Sequence, residues 1–222
     1  VTYDFGAVMA RMRKLRARIS QNDSAHRYAK LGVDIYIGNG HFVGNDRIQV
    51  AGPSGDRTLT FAKAAICTGA RASAPPMSGL QEAGYLTNET VFSLTDLPQR
   101  IGVIGAGPIG CELAQSFARF GSQVYLVEAA HGIMPNEDRD AAEIIEQQIA
   151  RDGVKLLCCG KHLQVEKTEG GMRLTVGSHG SQYDVTVDEL LVAVGRTPNV
   201  EGIGLETAGV AYDKNGITVN GR

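Results

Sequence analysis

Ile101-Gly102-Val103-Ile104-Gly105-Ala106-Gly107-Pro108-Ile109-Gly110 is the stretch that decides the fold of this 222-residue chain. Residues 101–104 form a short apolar run, as a strand covered on both faces requires. Three glycines follow in a G-x-G-x-x-G pattern. Pro108 suits the first position of a helix, where its missing N–H would be unpaired anyway. Ile109, Leu113 and Phe117 line one face of that helix, and Gly121 stops it. Residues 124–127 read as a second strand, and Glu128 follows it, 18 residues beyond Gly110. Strand, glycine turn, helix, strand and terminal acid is the arrangement that holds a dinucleotide. Gly105 permits the tight turn, Gly107 lets backbone N–H groups approach a pyrophosphate, and Gly110 lets helix and strand pack closely. Ala106, Pro108 and Ile109 complete the turn and belong to the same binding set. The helix N-terminus adds about half a positive charge toward the phosphates. The competing reading is a glycine turn that packs and binds nothing.

Further along the chain, the periodicity predicts a helix over about 138–151, capped by Asn136 or Asp138 and stopped by Gly153. A third strand follows at 154–158. Leu163 and Val165, then Met172, Leu174 and Val176, then Tyr183, Val185 and Val187 alternate with polar residues. That alternation predicts a half-exposed antiparallel meander, with Gly170-Gly171 joining its first two strands. Residues 190–194 are continuously apolar and read as a last parallel strand. The fold class is α/β: a Rossmann-like parallel sheet with an antiparallel β-meander crossover.

Upstream of the glycine turn the signals are weaker. Residues 5–31 read as one helix, with Val8, Met12, Leu15 and Ile19 on one face and Gly32 as its stop. Residues 33–37 alternate like a strand. Residues 41–51 and 58–68 read as an antiparallel pair around the turn Gly52-Pro53-Ser54-Gly55. Residues 74–79 are a loop, and the first domain boundary is expected at Pro98-Gln99-Arg100.

Composition excludes several classes. The chain is 43 % hydrophobic and 21 % charged, as folded globular chains are. Lys plus Arg number 22 against 24 Asp plus Glu, a net charge of −2. Nucleic acid is therefore not expected as partner, and the basic face Arg11, Arg13, Lys14, Arg16 and Arg18 reads as solvated. No apolar run approaches the roughly 20 residues of a membrane span. Four cysteines make no disulfide framework and the N-terminus has no signal-peptide pattern, so a cytoplasmic location is expected. Glycine is the outlier, 28 of 222 residues or about 13 %, against a typical ~7 %. The chain begins without Met and ends at Asn220-Gly221-Arg222 just after a strand-like stretch, which reads as a fragment.

Three separated segments together resemble one family. They are Gly105–Glu112 with Glu128, then Ile66-Cys67-Thr68-Gly69-Ala70-Arg71, then Leu191-Val192-Ala193-Val194-Gly195-Arg196-Thr197-Pro198-Asn199. Together they look like the flavin-dependent pyridine nucleotide–disulfide oxidoreductases, of the mercuric-reductase-like and dihydrolipoamide-dehydrogenase-like kind. The resemblance implies that residues 1–98 are part of an FAD-binding domain, 99–196 an NAD(P)-binding domain, and 197–222 the return to the FAD-binding domain. It implies FAD contacts at Thr68, Gly69 and Arg196, and an approach of Gly195 to the nicotinamide half of NAD. Glu112 matches an acid near the flavin–nicotinamide contact; its other reading is an exposed helix carboxylate, because the lysine that partners it in relatives is not in this chain. Pro108 stands where some relatives carry a Tyr or Val gate, and a proline ring cannot swing.

The family's first G-x-G-x-x-G, its C-x-x-x-x-C redox pair, its later G-D contact and its C-terminal His-Glu pair have no counterpart here. Cys158-Cys159 ends a strand and reads as buried, inert thiols. The histidines His26, His41, His131, His162 and His179 have no ligand spacing, so no metal site is expected.

The resemblance therefore implies the central part of an FAD-dependent NAD(P)H oxidoreductase. Hydride would pass from nicotinamide to flavin and on to a cysteine pair outside this chain. The acceptor would be a small molecule, a disulfide or a metal ion, and the full-length enzyme a homodimer. This chain alone is expected to be inactive. The alternative is a stand-alone, non-catalytic dinucleotide-binding module. Glu128 favours NAD over NADP, since it can accept hydrogen bonds from ribose hydroxyls but repels a 2′-phosphate. Ala129, Ala130, His131, Gly132, Ile133 and Met134 supply no fixed cation against that repulsion.

Overall fold

The structure, a computed structural model, describes residues 3–220. Val1-Thr2 of the expected first domain and Gly221-Arg222 of the expected return segment lie outside the described residues. In chain order the elements are α1 (Phe5–Ile19), α2 (Ala25–Lys30), β1 (Asn39–Phe42), β2 (Arg47–Ala51), β3 (Arg57–Thr60), β4 (Ala70–Ala72) and α3 (Leu80–Ala83). Then come β5 (Arg100–Ile104), α4 (Pro108–Phe120), β6 (Gln123–Val127), α5 (Arg139–Arg151), β7 (Lys155–Leu157), β8 (Lys161–Thr168), β9 (Gly171–Ser178) and β10 (Ser181–Val187). β11 (Glu189–Val192), β12 (Arg196–Pro198), β13 (Tyr212–Asp213) and β14 (Gly216–Ile217) complete the order. The chain divides into two compact units, one running to Lys14 and then over Ala72–Gly195, the other over Leu15–Arg71 and from Arg196 onward.

The first unit is built on a parallel sheet in the order β11-β5-β6-β7. Its strands are apolar in succession because helices and the meander cover both faces. Ile101, Val103, Val124, Leu126, Leu190 and Leu191 are fully buried. The helix α4 ends on Gly121, whose φ of 110° is the left-handed cap that a Cβ would resist. One face of α4 buries Cys111, Ala114 and Phe117, and Phe117 packs against Phe5 at the start of α1. The three-stranded antiparallel meander β10-β9-β8 turns Val165, Met172, Leu174, Val176 and Val187 inward, as the alternation predicts. Of the same predicted set, Leu163 and Val185 are only partly buried, and Tyr183, near the hairpin end of β10, is exposed.

Residues 72–98 pack with this unit, although the sequence places them before a boundary at Pro98. The reason is a sheet edge. Leu86 makes a parallel bridge to Leu191, donating its N–H to Leu190 O (2.7 Å) and accepting from Val192 N (2.8 Å). That contact extends the sheet past β11 and satisfies backbone groups that the edge would otherwise leave unpaired. Leu80 is also fully buried, in a cluster with Val165 and Leu174.

Among the described residues the strands of the second unit form small sheets, alongside α2 and the end of α1. β1, β2 and β3 form one sheet, β4 pairs with β12, and β13 with β14. Three expectations need correction here. The 5–31 helix is two helices: Ser24 caps α2, its Oγ accepting from Arg27 N (3.2 Å), and Ser20-Gln21-Asn22-Asp23 form the turn between them. Leu15 and Ile19 are exposed, and the buried face of α1 is Phe5 and Met9. Residues 33–37 join no ladder, and an alternating run without a neighbour to bond is not a strand. The predicted strand 41–51 is β2 plus part of β1, which pair with each other, and only residues 57–60 of the stretch beyond the turn form a paired strand.

Candidate functional site

The glycine turn has a geometric reason at each glycine. Gly105 has φ of 99°, and a Cβ there would lie 2.5 Å from Ala193 O. At Gly110 a Cβ would lie 1.9 Å from Gly105 O, so helix and turn touch only because that side chain is absent. Gly107 differs: a Cβ there would meet nothing within 4 Å. It caps α4 with no side-chain hydrogen bond, so the first N–H groups of the helix face open space. That space is a groove of about 350 Å³, walled by Gly107 and Pro108, Glu128, Met134 and Asn136, and Gly195. It lies at the carboxyl ends of the parallel strands, where open α/β sheets bind ligands.

Glu128 is held in place. Its Oε2 accepts from Ala106 N (2.8 Å) and its Oε1 from Ala130 N (2.9 Å). The carboxylate thereby ties the glycine turn to the loop after β6, and each oxygen retains lone pairs for a further donor. Arg139, the first arginine after Glu128 in sequence, gives its Nη1 to Ile133 O (2.9 Å). Below the turn, Cys111 donates its thiol to Ala106 O (3.3 Å), and burial pushes its pKa up to about 11. It is a structural thiol.

The structure gathers Gly105, Ala106, Gly107, Pro108, Ile109, Gly110, Glu128 and Gly195 in or beneath one groove. Gly195 has φ of 122°, and its carbonyl accepts from Ser73 N (3.0 Å). Glu112 stands apart: it is exposed on α4 and does not line the groove. Met134 was missed by sequence reasoning. Its N–H donates to Ala106 O (2.8 Å), and its φ of 47° carries no sequence signal because it is not a glycine.

In the second unit, Thr68, Gly69 and Arg196 also meet. Thr68 Oγ1 donates to Asn199 O (2.8 Å), and Asn199 returns bonds from Nδ2 to Thr68 O (3.0 Å) and from its N–H to Gly69 O (3.0 Å). Arg196 donates to Ala70 O (2.6 Å), and Arg71 reaches Asn199 Oδ1 (3.1 Å) and Glu201 (3.3 Å). Gly69 has φ of 65°, and a Cβ there would meet nothing within 4 Å, so the turn presents bare backbone. Asn199 stands in the last of the three family-like segments with no role expected of it; its part as the clasp on Thr68 is visible only in three dimensions.

A parallel sheet with a glycine-capped helix and a strand-terminal acid defines a Rossmann-type α/β protein. Residues 7–222 match the family model described as pyridine nucleotide-disulphide oxidoreductase. The chain belongs to that family. It is 32 % identical to mercuric reductase from Staphylococcus aureus over 185 residues, 83 % of this chain and 33 % of that protein. It is 27 % identical to dihydrolipoyl dehydrogenase from Bacillus subtilis over 222 residues, 100 % of this chain and 48 % of that protein. Among solved structures it matches the HOCl-induced flavoprotein disulfide reductase RclA from Escherichia coli. There the TM-score is 0.84 at 31 % identity, covering 98 % of this chain and 48 % of the other. The chain thus spans about half or less of the length of these relatives. Among the described residues no helix is long and apolar enough to cross a membrane.

Proposed function

We propose that the chain is the central part of an FAD-dependent NAD(P)H oxidoreductase and that it binds NAD in the groove at the glycine turn. The observation that carries this reading is the Gly107 cap. It leaves the N–H groups of α4 facing a groove with no Cβ in the way, across from a fixed carboxylate. When bound, nicotinamide and flavin would supply the hydride-transfer chemistry, with the redox cysteine pair outside this chain. Gly107 and the first N–H groups of α4 meet the pyrophosphate, in a turn that Gly105, Ala106, Pro108, Ile109 and Gly110 shape, while Glu128 holds the ribose and Gly195 the nicotinamide end. Thr68, Gly69 and Arg196 present bare backbone and a cation to the flavin dinucleotide.

In this reading the unit that spans Ala72–Gly195 serves NAD(P), and the unit of Leu15–Arg71 and the residues from Arg196 onward serves FAD. Glu112 adjoins the nicotinamide–flavin neighbourhood. The whole enzyme is a cytoplasmic homodimer acting on a small-molecule, disulfide or metal-ion acceptor, and this chain alone is inactive because it has no redox pair.

Cofactor choice follows from the tether on Glu128. Two backbone N–H groups hold the carboxylate, so it cannot swing from a 2′-phosphate without giving up both bonds. Titration of the protein with NADH and NADPH at matched ionic strength should show NADH binding about tenfold tighter, the equivalent of ~1.4 kcal/mol. Glu128→Gln should narrow that ratio. Equal affinities, or tighter NADPH, would rule out Glu128 as the selecting group.

A further inference from the structure

Cys158 and Cys159 follow β7 directly, and two histidines remote in sequence converge on them. Cys158 Sγ lies 3.1 Å from His179 Nε2, and Cys159 Sγ lies 3.5 Å from His131 Nδ1. The donor atoms of His131, Cys158 and Cys159 all lie within 4.8 Å of one another. Cys158 is buried, whereas Cys159 is only partly so. Adjacent residues of an extended strand point to opposite faces. Here Cys159 has φ of 55°, and that left-handed turn is what lets neighbouring thiols share one site.

The surrounding backbone holds this cluster. Cys159 N donates to Ala130 O (2.9 Å) and Gly160 N to Glu128 O (2.8 Å), so the loop after β7 is clamped to the loop that carries His131. Ser178 Oγ donates to Cys158 O (2.5 Å), fixing the end of β9 against the cysteines. His179 and Gly180 form the two-residue hairpin loop between β9 and β10, with φ of 48° and 80°. Such a loop ordinarily takes Asn or Asp at its first position. An imidazole there is strained backbone, and the strain sets its Nε2 beside the Cys158 sulfur.

We propose that Cys158, Cys159, His131 and His179 form a tetrahedral zinc(II) site of the two-cysteine, two-histidine type. An ideal site of this kind, with Zn–S of about 2.3 Å and Zn–N of about 2.1 Å, has S···N edges of about 3.6 Å. The two S···N separations of 3.1 and 3.5 Å lie near that value, and closing the tetrahedron requires the His131, Cys158 and Cys159 donors, spread over up to 4.8 Å, and the His179 ring to draw together. Two thiolates and two neutral imidazoles carry the donor set that tetrahedral zinc takes, and the two thiol protons leave to solvent on binding. None of the four residues lines the dinucleotide groove, so the site does not depend on the cofactor reading.

The test is zinc titration of the purified protein under a non-chelating reductant, in competition with a chromophoric chelator. One equivalent should bind with a dissociation constant below about 1 µM. Cobalt(II) in its place should give the thiolate-to-metal charge-transfer band of a tetrahedral site. Cys159→Ser and His131→Gln should each weaken zinc binding at least about tenfold, since each removes one ligand. Cys67→Ser, which alters an exposed thiol of the other unit, should leave it unchanged. Weaker binding by the unaltered protein, or binding by His131→Gln and Cys159→Ser as tight as before, overturns the proposal.

Discussion

The two compact units use the same amino acids to different effect. In the first, Leu80, Ile101, Leu126, Leu174, Leu190 and Leu191 are fully buried between a parallel sheet, its helices and the meander. In the second, the buried apolar cluster is Phe42, Val200 and Leu205, while Ile19, Leu31 and Ile37 are 59 %, 66 % and 70 % exposed. Apolar residues are plentiful in both; the difference is coverage. A parallel sheet with crossovers supplies its own cover on both faces, whereas short antiparallel hairpins bury one face at most. The first unit therefore carries most of the stability, and the second carries apolar surface that its own elements leave open.

Hydrogen exchange is the most direct way to break this contrast. Amides of β5, β6 and β11 should exchange about a thousandfold more slowly than those of β1, β2 and β3, an opening difference of about 4 kcal/mol. Uniform protection across both units would show that they unfold together.

Side-chain truncation sharpens the same comparison with a slightly smaller effect. Leu191→Ala, at a fully buried position, should cost about 3 kcal/mol in urea unfolding, while Ile37→Ala should stay within about 0.5 kcal/mol. A comparable loss at Ile37 would mean that its exposed face is covered in solution.

Within the first unit, the glycine turn separates stability from binding. Gly110→Ala places a Cβ 1.9 Å from Gly105 O and should destabilise the unit by about 1–3 kcal/mol. Gly107→Ala meets open space, so melting should hardly change while NADH affinity falls. If Gly107→Ala binds NADH as the parent does, the groove is not the dinucleotide site.

The smallest expected effect is on pH dependence. Asp188 accepts from Arg100 N (2.8 Å) and Nε (3.1 Å), and its bond with the Arg100 guanidinium holds its carboxyl below the ordinary range. The folded state then binds the proton less readily than the unfolded chain. Its contribution is full above the ordinary Asp value near pH 4 and is lost as pH falls through the lower folded value. Glu189, pushed up by burial, works in the opposite sense. Comparing the acid limb of stability for the parent and Asp188→Asn isolates the first effect; a variant with an unchanged limb would refute it.

Local sequence signals reach quite different depths in the two units. β5, α4, β6, α5, the meander and β11 follow from periodicity and glycine placement, with ends within about two residues of expectation. Those signals are local: 3.6- and 2-residue periods, and caps one residue long. The glycine turn and Glu128 were legible for the same reason, since a turn that no Cβ permits must be written in glycine. In the second unit the alternating run 33–37 had the right local pattern and no neighbour to pair with, which no local pattern reports.

The sequence by itself determined the Rossmann-type core, because every residue that specifies it acts within one turn or one strand of its neighbours. Only the tertiary structure decided three other features. It carried residues 72–98 onto the sheet edge through Leu86. It tied Glu128 to the Ala106 and Ala130 amides, and it brought His131 and His179 to Cys158 and Cys159. Each joins loops whose paths depend on strand order and on left-handed residues that are not glycine, such as Met134, Cys159 and His179. Those conformations are imposed by packing against distant chain rather than by the residue's own preference, so the local sequence does not record them.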